Sequence, residues 1–150
     1  YEIIGRLVCS EMCIRDRTNI LSDYQEFVDE VSSDATRNLD DFIEALEIID
    51  EQGVEVSRLL TSGIGLAGES GEFNDIVKKT VFQGKEMDED TVTHLKAELS
   101  DCLWYIAQGC LALDTSIEEL IDINTAKLEK RYPGGFDEFR SDNRDDEDNM

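Results

Sequence analysis

Two short acidic pairs carry the most chemistry in this chain. Glu69-Ser70-Gly71-Glu72 and Glu98-Leu99-Ser100-Asp101 each hold two carboxyl groups three residues apart. That spacing puts both groups on one helix face, within reach of a shared ligand. If the two carrier helices pack antiparallel, four carboxylates converge at the margin of a core. Charges gathered in this way repel one another and lose hydration, so they need a counter-charge. Carboxylate oxygens, water and a ligand's phosphates suit a hard divalent cation such as Mg²⁺, with Mn²⁺ as a substitute. A di-iron centre is rejected, because carboxylate iron bundles use Glu-x-x-His pairs and the single histidine, His94, has Thr91 three residues before it. His94 itself reads as an ordinary helix-surface residue. Spacing alone leaves an exposed acidic face as the alternative, since Asp41/Glu44 and Glu44/Glu47 repeat the pattern in a chain with 36 acids.

Basic and amide groups stand where an anion bound to such a metal would extend. Lys79 follows Glu72 by seven residues and so shares its helix stripe two turns along, where an amine can meet a phosphate. Lys78, about 100° away, is expected to face water. Further on, Asn124 lies amid Ile117, Leu120, Ile121 and Leu128, the expected inward face of a helix, with Lys127 and Arg131 at its edge. A buried Asn left unpaired costs about 1–3 kcal/mol. Asn124, Lys127 and Arg131 together suit a phosphate or sugar; an Asn paired to a neighbouring carboxylate, beside two bases spread over apolar surface, is the other reading. Gly63-Ile64-Gly65-Leu66-Ala67-Gly68 matches GxGxxG letter for letter, but a dinucleotide fingerprint needs a preceding strand and a βαβ unit. Its flanks are helical, so small residues that let two helices approach closely are the expected role.

Helices are what must position these groups. With one proline, Pro133, and no sustained alternation of apolar and polar residues, strands are not expected. The periodicity predicts a first helix from Thr18 to about Ser33. A second starts at an Asn38 cap and ends at Gly53, and a third runs from about Val56 to Phe82, stopped by Gly84. Asp88 to Asp90 cap a fourth that reaches about Leu113. Thr115 or Ser116 opens a fifth that ends before Pro133. The fourth helix's expected core stripe is Leu95, Leu99, Cys102, Leu103 and Ile106. Glu98 falls about 40° from Cys102, at the edge of that stripe, and Trp104 lies opposite it, as a second core face or a subunit contact. Cys102 and Cys110 read as small core residues. Together these describe an all-α bundle of about five helices.

Composition bounds the function. A net charge of −22 repels phosphate backbones and anionic lipid heads, excluding a nucleic-acid polymer or a membrane surface as the main partner. No apolar run approaches the roughly 20 residues a bilayer requires. Four cysteines without a CxxC pair point to a reducing cytoplasm. Residues 1–17, whose Val8–Arg17 stretch resembles a translated sequencing adaptor, read as a non-native or disordered leader. Residues 18–140 read as the folded domain and 141–150 as a solvated acidic tail.

In their order along the chain, the motifs resemble the MazG-like nucleoside triphosphate pyrophosphohydrolases. They are Gly65-Leu66-Ala67-Gly68-Glu69-Ser70-Gly71-Glu72, Val77-Lys78-Lys79, Glu98-Leu99-Ser100-Asp101-Cys102-Leu103-Trp104-Tyr105, and Asn124 through Lys127-Leu128 to Arg131-Tyr132-Pro133. Tyr24-Gln25-Glu26-Phe27 and Gly134-Gly135-Phe136 resemble a phage and bacterial branch. The resemblance implies an all-α, Mg²⁺-dependent enzyme that cleaves (deoxy)nucleoside triphosphates between the α and β phosphates. The products are a monophosphate and pyrophosphate, and the role is nucleotide-pool cleansing or control. By motif position Glu69, Glu72, Glu98 and Asp101 are its metal ligands and catalytic groups, one of them able to polarise the attacking water. Lys79, Asn124, Lys127 and Arg131 carry its phosphate or sugar contacts. A homodimer or homotetramer with sites near subunit contacts is implied as well. One departure is Gly68, where the family pattern has the first of two adjacent acids; Ser70-Gly71 beside it suggests that close packing is kept. Gly68 keeps open a reading from another class, a catalytically silent helical module that binds a nucleotide or a protein.

Overall fold

A computed structural model describes residues 20–142. Among them the chain is all-α, the sole β feature being an isolated bridge between Pro133 and Gly135. Contacts divide the chain between Ile48 and Ile49 into two units. The proposed leader and residues 143–150 lie outside the described residues.

In the first unit, residues 20–30 are helical (α1). The one-turn helix α2 (Asp34–Arg37) and the start of α3 (Leu39–Glu51) follow. Asn38 does cap α3, its Oδ1 accepting the Asp40 amide at 2.9 Å, because an Asx side chain satisfies an N–H that the first turn leaves without a partner. Arg37 pairs with Asp34 at 3.2 Å and Asp29 at 3.9 Å. The single turn of α2 was too short to register as a period.

The second unit holds α4 (Val56–Gln83), α5 (Glu89–Ala112), α6 (Ile117–Arg131) and the short α7 (Glu138–Asp142). Stops and starts fall where the capping residues predicted. Gly84 takes a left-handed φ of 72° and donates to the Lys79 carbonyl; the Lys85 amide reaches the same oxygen at 3.1 Å, a tight C-terminal closure that favours glycine. Asp88 caps α5 through the Thr91 amide at 2.8 Å, and Ser116 caps α6 through Glu119 at 3.1 Å. The expected acidic tail begins inside α7, which includes Ser141 and Asp142.

Helices α4 and α5 lie antiparallel, since partners descend along α5 as they ascend along α4. The Glu55 amide meets the Ala112 carbonyl at 3.2 Å, Arg58 donates to Gln108 at 2.7 Å, Ser62 to the Tyr105 carbonyl at 2.8 Å, and Ser70 meets Cys102 at 3.7 Å. The α5 face that is used recurs at seven-residue intervals. Thr91, Glu98 and Ala112 are buried and Tyr105 packs on Gly65, the spacing of antiparallel rods in shallow-angle contact.

This corrects the expected core stripe. Leu99 and Leu103 are about half exposed, as are Trp104 and Leu111; of the expected stripe Cys102 does meet α4, at Ser70, beside Glu98 and Tyr105. Periodicity picks the greasiest face, but within this chain the contact goes to the face that carries Glu98. On α6, Asn124 is likewise exposed, not buried, and Leu120, Ile121 and Leu128 beside it are open. The expected close approach is realised at Gly65, where a Cβ would lie 2.0 Å from Tyr105 Cε1, and at Gly109, 2.8 Å from Ser62 Oγ. Gly68 and Gly71 instead have open space, so they do not serve close packing.

Candidate metal centre

Helix α4 supplies Glu69 and Glu72 one turn apart, and α5 supplies Glu98 across the seam. One carboxylate oxygen from each lies within 4.8 Å of the other two. Glu98 is buried at 5% exposure, deeper than the core-edge position its angle on α5 suggested. Glu69 is half-buried and Glu72 exposed. Lost hydration, then the charges of Glu72, Asp101 and Glu98, push the Glu69 carboxyl above its usual range, and a hydrogen bond with Glu98 adds to this. Asp101 is exposed and stands outside the group of three, although its charge is felt at Glu69. Three of the four expected carboxylates therefore come together. Hard oxygen donors crowded around a buried carboxylate fit a divalent cation such as Mg²⁺ or Mn²⁺.

Beside the triad opens a cleft of about 390 Å³, bordered by Glu72, Glu98, Gly68, Gly71 and Ile76 together with Asp75, Lys79, Lys85 and His94. Lys79 thus reaches the cleft as its spacing predicted. Its amine is held by Asp75 at 2.5 Å; Lys78, exposed and outside the cleft as expected, pairs with the same carboxylate. Hydrogen bonds from Lys78 and then Lys79 lower the Asp75 carboxyl to about 2. Asn124, Lys127 and Arg131, all on α6, do not border this cleft. The Arg131 guanidinium lies 6.0 Å from the centre of the Tyr132 ring.

Motif spacing missed three groups at the cleft. Asp75 stands three residues before Lys78 and four before Lys79, a helix ion-pair spacing that could have found it. Lys85 is carried in by the closure at Gly84, which no motif marks. His94 lies on the helix surface as expected, and it also borders the cleft with Nε2 3.2 Å from Glu98 Oε1. Its position four residues before Glu98 was the available signal.

A family model for the MazG nucleotide pyrophosphohydrolase domain matches residues 59–136. The chain belongs to the MazG family. The matched span of this MazG domain contains both acidic pairs, the cleft and all of α6. A relative, the gene 37 protein of Mycobacterium phage L5, is 35% identical over 83 residues, covering 54% of this chain and 72% of that protein. No solved structure matches. Within the MazG domain, Gly63–Gly68 lies inside α4 with no strand before it among the described residues, so its glycines are helix residues and not a dinucleotide loop.

Proposed function

We propose that this chain is a Mg²⁺-dependent pyrophosphohydrolase, with Mn²⁺ able to substitute. It takes a (deoxy)nucleoside triphosphate and water to a nucleoside monophosphate and pyrophosphate, in nucleotide-pool cleansing or control in the cytoplasm. The observation that carries the reading is the meeting of Glu69, Glu72 and Glu98 within 4.8 Å in a MazG-family chain. These three residues would hold the cation, with Asp101 as the fourth acid of the site. The ion supplies charge neutralisation for the triphosphate and polarisation of water. The attacking water displaces pyrophosphate at the α-phosphorus, breaking the bond to the α–β bridging oxygen and giving its proton to a carboxylate of the cluster. Lys79 offers charge to the phosphates once these compete for it with Asp75, and Asn124, Lys127 and Arg131 are proposed for phosphate or sugar contacts by motif position.

A homodimer or homotetramer is part of the same reading, because it covers Trp104, Leu103 and the open face of α6. Among the described residues no helix is long and apolar enough to cross a membrane, in keeping with a substrate free in solution. The test is product analysis over a panel of dNTPs and NTPs with Mg²⁺. Monophosphate and pyrophosphate are expected from the wild type, and background rates from Glu72→Gln and Asp101→Asn with helicity unchanged. Diphosphate and phosphate would overturn the bond assignment. No turnover at any metal concentration would overturn the enzyme and leave a silent nucleotide- or protein-binding module.

A further inference from the structure

We infer that His94 is a positioning residue for Glu98. The inference rests on the metal-centre reading above. Glu98 is the most deeply buried charge at the α4–α5 seam, its side chain 6% exposed, whereas His94, one turn earlier on α5, is 59% exposed and borders the cleft. A buried carboxylate needs donors to replace lost water. Among the described residues His94 brings a ring nitrogen to this carboxylate, Nε2 lying 3.2 Å from Oε1; Glu69, itself a carboxyl group, is hydrogen-bonded to Glu98. The amines of Lys79 and Lys78 are engaged with Asp75.

Holding one oxygen of Glu98 fixes a side chain of three torsions and leaves its second oxygen for the shared ligand. Residues that orient metal ligands in this manner typically alter metal affinity or activity by about 10–100-fold when removed. His94 touches neither the reacting phosphate nor the water in this account; it acts through the carboxylate.

The experiment uses the full chain and Mn²⁺ alone as the probe. Mn²⁺ binding is measured by calorimetry and by the electron paramagnetic resonance signal of the free ion, for wild type, His94→Leu and His94→Gln. Hydrolysis and far-ultraviolet circular dichroism are followed alongside. His94→Leu is expected to weaken Mn²⁺ binding by about 10–100-fold, with the metal-free protein still helical by far-ultraviolet circular dichroism. His94→Gln, whose amide donates from a similar reach, is expected to recover most of the loss. Wild-type Mn²⁺ affinity in His94→Leu, or equal loss in His94→Gln, overturns the proposal while the metal centre stands. A wild type that binds no Mn²⁺ overturns both.

Discussion

Alanine at Gly65 is the sharpest test of the α4–α5 seam. A Cβ there would sit 2.0 Å from Tyr105 Cε1 and 2.3 Å from two more ring atoms, far inside van der Waals contact, and a ring cannot fold aside as a lysine tip can. Overpacking of this kind costs about 1–3 kcal/mol, and so short a contact belongs to the upper part of that range. Against it stands roughly 1 kcal/mol gained by replacing glycine with alanine inside a helix. Gly65→Ala should therefore lose about 1–2 kcal/mol. Gly68, three residues along the same helix, has nothing within 4 Å of the corresponding position. Gly68→Ala should gain about 0.5–1 kcal/mol from backbone entropy alone. Urea denaturation of metal-free protein, followed by far-ultraviolet circular dichroism, reads both values. Opposite signs are the expected result, and adding Tyr105→Ala to Gly65→Ala should recover more than additivity allows. Equal stabilisation by the two alanines would refute the close approach of these helices at Tyr105.

Two further outcomes follow from the charges at the cleft. Glu72→Gln removes the charge that weighs most on Glu69 after lost hydration, so it should raise the unfolding midpoint of the metal-free protein even as it ends turnover; a lowered midpoint would refute crowding at the triad. Asp75, held at about 2 by Lys78 and Lys79, has a folded value below the unfolded one of about 3.9. Its contribution to stability is therefore present above about pH 4 and drains away as pH falls towards 2. Comparing unfolding midpoints over that window, Asp75→Asn should decline less steeply than wild type, and parallel declines would refute the ion pairs.

Helix ends were legible because single residues decide them. Asn38, Gly84, Asp88 and Ser116 each satisfy or close a backbone terminus in the way their side chains allow. The pairing of Glu69 and Glu72 with Glu98 was legible too, since period and antiparallel packing bring them together. Periodicity could not tell which side of α5 meets α4. Hydrophobicity pointed to Leu99 and Leu103, whereas Gly65 and Ser62 admit Tyr105 instead. The burial expected for Asn124 failed for a related reason: an amphipathic pattern names a face to be covered but not the surface that covers it. His94 and Asp75 were readable only as partners of residues already chosen, because their roles lie in i,i+4 contacts and not in a motif of their own.

The tight closure at Gly84 makes the stretch from Glu72 to Glu98 a ruler. Both carboxylates hang from rods joined by the short link between Gln83 and Glu89. Each residue inserted in or deleted from either rod between glutamate and link would turn its carboxylate by about 100° and slide it about 1.5 Å. Length changes in this stretch are thus forbidden to a functional chain in a way that substitutions are not.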